Sequence, residues 1–412
     1  MTEEWKWVRL VFVDVFGAAH AVVLPGARFD LAMDKGAPFD GSALEGRARH
    51  LEADMLLVPD RDTLRAVGGG QARAACWVRS SSGRVWPGDP RTALANVVDA
   101  VGELGQGYRA AAELEFYVLD RDGAPVDRAD YFGDLDGPGM ALTRSSAERL
   151  DGFGVEVIGA HAEAGPGQYE LDLAAMAPMA LADALILAKQ VVKEVAATAG
   201  LRATFMGRPF TSEPGSGLHL HQLIEGGLFD DRGNLDSTGR GFLAGQLVHA
   251  PGLTALAGPT VNSYKRLHSG PEAPSAVVWA HSNRAALLRV GWSAERRPAI
   301  EFRLADPSAN PYLLLAGLLA AAAHGLEAEL DPGAPFEEDL AGWDPSLAES
   351  AQLQPLPRDL DAALDALMAD DVLVDAFDSR LLTPMVEGRR AEAQAYRAQV
   401  TPWEVERYLD EA

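Results

Sequence analysis

Cysteine is nearly absent: Cys76 is the only one in 412 residues, which excludes an intrachain disulfide framework and fits a reducing compartment. Positive charge is scarce as well. Thirty-six Lys and Arg stand against 60 Asp and Glu, a formal charge of -24 with no basic block, so neither nucleic acid nor a membrane surface is an expected partner. No apolar run reaches the roughly 18 residues needed to span a bilayer. The longest, from Tyr312 to Ala323, follows Asn310-Pro311, which reads as N-cap plus first residue of a core helix. The opening MTEEW is acidic where a secretory signal is basic, so a cytoplasmic location is the expectation. Repeats and low-complexity tracts are also missing. What remains is an ordinary globular composition, 48% hydrophobic, long enough for a large core and more than one domain.

Residues 1–87 read as a small sheet-rich domain. The alternating WKWVRLVFVDVFG is followed by short strand-like pieces, HAVVLP, ADMLLVP and ACWVR, separated by glycine- or proline-containing turns. At Asp89-Pro90 the texture changes, with Asp89 as N-cap, Pro90 at the first helical position, and Leu94, Val97, Val98 and Val101 at helical spacing. A second domain, 88–412, begins there. Within it the stretch from Asp183 to Thr198 is helical by composition, and three helices follow Leu356-Pro357. The last of these starts with Thr401 as N-cap, Pro402 in the first turn and Glu404 completing a capping box. Asp331 to Leu356 reads as a long surface connection.

Four segments alternate so that ionisable residues share one strand face. In AAELEFYVL, Glu113 and Glu115 oppose Leu114, Phe116 and Val118; in GQYELDL, Gln168, Glu170 and Asp172 oppose Tyr169, Leu171 and Leu173. GLHLHQ sets His219 and His221 against Leu218 and Leu220, and AIEFRL sets Glu301 and Arg303 against Ile300, Phe302 and Leu304. One such pair is commonplace on a solvated strand. Four predict an antiparallel sheet with an apolar back and an acidic working face.

Converging carboxylates repel one another, and ionising five of them together requires cations. Two divalent ions beside one neutral imidazole leave about one negative charge, and oxygen-rich ligation favours Mg²⁺ or Mn²⁺ over zinc. Arg266, Arg284, Arg289 and Arg303, in NSYKRL, NRAALLRV and EFRL, are suited to carboxylate and phosphoryl oxygens. Each alone also reads as a salt-bridge partner on an acidic surface. Together with the acidic face they point to a phosphoryl-transfer clamp.

These segments, in the order GAPFDGSALEG, ADMLLVPD, ELEFYVLD, AEAGPGQYEL, ATFMGRPF, GSGLHLHQ, PTVNSYKRL, PEAP, NRAALLRV and IEFRLADPSANPYL, resemble the glutamine synthetase family over nearly the whole chain. The resemblance implies an α+β fold: an N-terminal β-grasp domain plus a catalytic domain whose antiparallel sheet is flanked by helices and carries two metal ions. It implies ATP as co-substrate, glutamate, ammonia or a small amine as partners, and a homo-oligomer of hexameric or dodecameric rings with shared active sites. Glu115, Glu163 and Glu170 match the metal ligands nearer glutamate; Glu113, His219 and Glu301 match those between the ATP phosphates. Arg266 matches the residue that grips the α-carboxylate, beside Gly215. His221, Arg284 and Arg289 fall on the ATP side, with Arg284, Arg289 and Arg303 matching the groups that neutralise the transferring phosphoryl. Glu272 matches the flap carboxylate that closes the site and helps deprotonate the nitrogen. Asp54 matches a residue that the neighbouring subunit contributes to the ammonium pocket, which Tyr131 joins.

Some positions depart from that pattern. Ala162 stands between His161 and Glu163, where many relatives have a second histidine. Pro214 replaces an asparagine that helps hold an amino group, and Leu223 replaces a serine near the nucleotide. Ala299 occupies a common arginine position, with Arg296 and Arg297 close by. Pro271 replaces the aromatic before the flap glutamate. These changes bear on which acid and which amine are used, and they leave open γ-glutamylpolyamine or γ-glutamylamide synthesis, which the sequence also resembles. A catalytically silent scaffold is a different class, and it predicts lost ligands where none of the six is lost. A guanidino-kinase type of phosphotransferase shares the arginine-and-metal logic but not these motifs. No tyrosine in Asp331–Leu356 is available for adenylylation control.

Overall fold

In the computed structural model the described residues are 5–45, 54–128, 130–133, 136–267, 272–338 and 353–411. Two sheets organise the chain. The first joins β1 (Trp7–Val13), β2 (Ala19–Pro25), β3 (Ala37–Phe39), β4 (Met55–Pro59), β5 (Arg65–Gly68) and β6 (Gln71–Arg79) in the order β2-β1-β6-β4-β3, with β5 added to β6. β1 and β6 run parallel and the other pairs antiparallel. Helix α1 (Phe29–Lys35) and the inward Val8, Leu10, Leu57, Ala74 and Val78 close a small core of their own. Cys76 is buried in it as a free thiol.

The second sheet holds β7 (Tyr108–Leu119), β8 (Val157–Ala162), β9 (Gln168–Met176), β10 (Arg202–Thr204), β11 (Leu218–Ile224), β12 (Trp279–Ala280), β13 (Leu288–Trp292) and β14 (Pro298–Phe302). Its order is β12-β13-β14-β11-β7-β9-β8, with β10 on β7. The four alternating segments are thus adjacent. All pairs are antiparallel except β12 with β13, so the predicted antiparallel sheet acquires one parallel edge. Arg303 lies just beyond the end of β14, not within it.

The apolar backs of these strands are fully buried: Leu114, Phe116, Leu171, Leu220 and Phe302 enter one continuous core with the helices, and on the opposite face Glu115, Glu170, His219, His221 and Glu301 are covered as well. Those helices are α2 (Pro90–Ala100), α3 (Glu103–Gly107), α4 (Pro138–Asp151), α5 (Pro178–Thr198), α6 (Ser237–Val248), α7 (Ala250–Ala257), α8 (Ser263–Leu267) and α9 (Pro311–Glu327). Asp89 caps α2 by accepting from the amides of Arg91 and Thr92, and Asn310 caps α9 by accepting from Tyr312. α5 begins at Pro178, five residues before the predicted stretch, because proline is tolerated at a first helical position.

Four helices follow residue 357, not three: Leu360–Met368, Asp371–Asp375, Ser379–Arg397 and Pro402–Tyr408. The additional break falls at Asp370, whose side chain caps a new helix by accepting from Leu373 N. Thr401 and Glu404 form the predicted capping box. The expected surface connection departs from expectation at its ends. Val277 N donates to Gln354 O at 2.9 Å, Phe336 N to Trp279 O at 2.8 Å, and Leu356 is 2% exposed. Residues 339–352, within that connection, lie outside the described residues. No described helix is long and apolar enough to cross a membrane.

Candidate active site

Strand register turns the alternation into a grid. Three rows of facing residues cross the second sheet: His161–Glu170–Glu115, then Gly159–Asp172–Glu113–His219, then Ala111–His221–Glu301–Arg289. Neighbouring strands are under 5 Å apart, so a row of acids on adjacent strands is a dense patch of negative charge. The grid needs space. A Cβ at Gly159 would lie 2.0 Å from Asp172 Oδ2, and one at Gly217 would lie 2.4 Å from His219 Nε2 and 3.0 Å from Glu115 Oε1.

Each acid has a defined environment. His219 Nδ1 and His221 Nε2 bond Glu113 at 3.0 and 2.7 Å. Burial alone would raise the Glu113 carboxyl, but these two imidazoles hold it well below its ordinary range. Glu301 accepts from Arg303 Nη1, and Arg289 Nε lies 3.0 Å from its other oxygen. Its carboxyl is accordingly lowered against the effect of burial, chiefly by the Arg303 charge. Glu115 Oε2 accepts from Gln168 Nε2 at 3.0 Å and Gly217 N at 2.9 Å.

The other side is poorer in donors. Burial, then the charge of Glu115, pushes Glu163 up to about 8, and burial with Glu113 and Glu115 holds Glu170 well above the usual carboxylate range. Burial raises Asp172 as well.

Oxygen and nitrogen atoms converge within 4.8 Å in three groups, Glu113–His221–Glu301, His161–Glu163–Glu170 and Glu113–Glu170–Asp172. Asp172 Oδ1 and Glu301 Oε2 are buried. Arg289 Nε faces Glu301 Oε2 without a hydrogen bond, and Asp172 Oδ1 lacks one altogether; clustered hard, anionic oxygens with an imidazole beside them are a donor set that fits divalent cations.

Beside the grid lies a pocket of about 340 Å³ lined by Glu115, Glu163, Gly215, Arg266, Glu272 and Arg303 among others. Arg266 is buried, with Nη1 donating to Leu304 O at 2.9 Å and Nη2 to Arg303 O at 3.1 Å. Burial lowers the basicity of its guanidinium. Arg303 Nε donates to Arg284 O at 2.8 Å, which ties the arginine segments together. At the mouth Arg284 Nη1 stands 3.6 Å from Glu272 Oε1, both side chains largely exposed; residues 268–271, just before Glu272 and including Pro271, lie outside the described residues.

One expected member stands apart from the site of its own chain, and another borders it. Asp54 is exposed at the start of β4 and does not line the pocket of its own chain. Tyr131 is 45% exposed, with its ring 5.8 Å from that of His161. Four residues missing from the expected site have places in it. His161 Nε2 lies 3.1 Å from Glu170, and its signal was present: Gly159 and His161 alternate along β8 as the acids do along β9. Asp172 belongs to the alternation already noted, as does Gln168. Arg208 had no such signal, because it lies on an irregular segment. It lines the pocket and binds Phe210 O, Thr211 O and Lys265 O.

Comparison with known proteins agrees with this architecture. Residues 87–408 match the model of the glutamine synthetase catalytic domain and residues 4–76 that of the glutamine synthetase beta-grasp domain. The chain belongs to the glutamine synthetase family. It is 36% identical to the glutamine synthetase of Methanococcus maripaludis, over 99% of this chain and 97% of that one. It is also 36% identical to the glutamine synthetase of Thermus thermophilus, over 99% and 96%. A solved structure described as a GmaS/ADP complex superposes with a TM-score of 0.88 at 30% identity, covering 99% of this chain and 97% of that one. The Plasmodium falciparum glutamine synthetase, at 19% identity and TM-score 0.88 over 98% and 96%, shares the fold. As a member of this family the chain is a ligase that makes C–N bonds at the expense of ATP.

Proposed function

We propose that the chain phosphorylates the γ-carboxylate of glutamate with ATP and condenses the product with ammonia or a small amine to a γ-glutamyl amide. The observation that carries this reading is the junction of an acid grid fit for divalent ions with a pocket that ends on buried Arg266 and Arg303. Two ions would be held by Glu115, Glu163 and Glu170 and by Glu113, His219 and Glu301, and when bound they supply positive charge to the phosphate oxygens. Mg²⁺ and Mn²⁺ are the candidates.

A carboxylate is a poor electrophile, so an oxygen of the γ-carboxylate first attacks the terminal phosphorus and ADP leaves. Arg303, with Arg284 and Arg289, faces the developing negative charge; fixed donors in a partly desolvated site need no reorganisation as it forms. Arg266 beside Gly215 orients the amino-acid end. The amine nitrogen then attacks the acyl carbon, phosphate leaves, and Glu272 takes the nitrogen's proton. Glu272 and Arg284 at the mouth also restrict water, which would otherwise hydrolyse the acyl phosphate. His221 lies on the ATP side. Asp54 and Tyr131 are assigned to the amine pocket, Asp54 from a neighbouring subunit of a hexameric or dodecameric ring. The division between the two domains is placed at 87/88.

Phosphate release is the test, measured with glutamate plus ammonia, methylamine, ethanolamine or putrescine. Acceptor-dependent release identifies the amine, and equal rates with and without every acceptor would refute the ligation. Retained Asp54 and Glu272 favour ammonia, whereas Pro214, which lines the pocket, favours a larger amine.

A further inference from the structure

A second cavity, of about 740 Å³, opens where the turn Phe16–Ala19 of the first sheet meets α5 and the segments around Gly207, Asn262 and Ser308. Its ionisable lining is one-sided. Lys189, Lys193 and Arg389 line it, and no Asp or Glu does, in a chain with 60 of them. Of the nearest acids, one neutralises a cavity cation in part and the others are engaged locally. Asp306 accepts from Ser308 N and Oγ, Glu392 pairs with Arg389 Nη1 at 2.6 Å, and Asp14 accepts from Phe16 N and Ala18 N and faces His20 Nε2.

Lys189 and Lys193 lie one helical turn apart on α5, an arrangement that by itself repels. No carboxylate ion pair is recorded for either among the described residues. Lys189 Nζ donates to Pro307 O at 3.1 Å and Ala309 O at 3.4 Å, leaving one of its three N–H donors. Lys193 is exposed at the rim, above the Phe205 ring. Arg389, nearly buried, stacks on Phe16 and has no hydrogen bond at Nε. The carbonyl tether accounts for Lys189, and Glu392 with Phe16 O accounts for the two terminal nitrogens of Arg389. Neither accounts for Lys193, for Arg389 Nε, or for the third Lys189 donor around an open volume with no acid in its lining.

We propose that this cavity binds a small dianion, a phosphate-bearing or dicarboxylate metabolite, between Lys189, Lys193 and Arg389. The cavity also shares its wall with the catalytic pocket. Gly207 O accepts from Ser216 N at 2.8 Å, and Asn262, which lines the cavity, exchanges two hydrogen bonds with Arg208, which lines the pocket. Occupancy therefore biases the loop that carries Gly215, and by reciprocity substrate binding biases dianion affinity. That coupling rests on the proposed reaction; the binding does not.

Calorimetric titration of the full chain with inorganic phosphate, succinate and, as monoanion control, acetate tests it without turnover. The expected result is saturable binding of phosphate, succinate or both, weakened roughly tenfold or more in Lys189→Met and in Lys193→Met, with Mg·ATP binding unchanged. Phosphate alone identifies a phosphate-bearing ligand, and succinate alone a dicarboxylate. No saturable binding of either, or equal affinity in the lysine variants, overturns the proposal. Should Lys189→Met fail to fold, the exposed Lys193 carries the test.

Discussion

At the scale of single residues, the site works by placing unlike neighbours beside like charges. Glu301 is held ionised by Arg303 and Arg289, so Glu301→Ala removes a proposed ligand and leaves two guanidinium groups facing each other. Turnover should fall by roughly a hundredfold or more, while sedimentation shows the assembly intact, because the strand packs through Ile300 and Phe302; near-normal turnover contradicts the assignment. Gly217→Ala is the steric counterpart, and the expected loss of activity with retained melting temperature reports the space that His219 and Glu115 need. Lys189 offers a pH test. Burial, with Lys193, lowers its ammonium to about 8, below an unfolded value of about 10.4. Between these values the unfolded chain binds the extra proton, so the wild-type protein gains stability relative to Lys189→Met as pH rises through that window, on the order of 1–3 kcal/mol. Denaturant midpoints at pH 8 and 10 measure it, and a gap that does not change with pH removes the claim.

Elements determine which of these residues meet. β7 is the hub, because its neighbours β11 and β9 bring His219 and Glu170 to either side of Glu113 and Glu115. A one-residue slip in either pairing would turn the acids into the core; the buried backs at Leu114, Leu171 and Leu220 forbid it. Alternation and caps are legible in the sequence. The strands carrying the acids, the N-caps at Asp89 and Asn310, and the capping box at Thr401 all follow from local spacing. β8 and the break at Asp370 carry little local signal. The first is short and half-exposed, with a weak pattern, and the second depends on one aspartate among many. Capping gives the prediction at this scale. Thr401→Ala should cost about 1 kcal/mol in the helix Pro402–Tyr408, seen as faster hydrogen exchange there, with catalysis unaffected because that helix is peripheral.

For the whole molecule, the contact between the two sheet systems is built on a buried ion cluster. Arg91 at the start of α2 reaches Asp60 beyond β4 at 2.7 Å and Asp183 on α5 at 2.9 Å, and lies 3.9 Å over the Trp77 ring. Arg91→Ala leaves two acids facing each other in a dry junction, and a loss of roughly 3–5 kcal/mol is expected in chemical denaturation. A loss under 1 kcal/mol would mean that the junction is held by packing alone. The exposed Asp54, remote from its own pocket, bears on assembly. Mixing Asp54→Ala with Glu301→Ala subunits should restore part of the activity that each lacks, if neighbours complete each other's sites; no restoration argues against a shared pocket.

By itself the sequence determined the type of chemistry and the family, because strand periodicity and residue order are local properties that survive without coordinates. Which acids stand next to which imidazoles, and that His161 and Arg208 border the site, depends on register and on loops that close over long separations. Only the tertiary structure decides those neighbours, because electrostatics and hydrogen bonding act over a few ångströms of space whatever the distance along the chain.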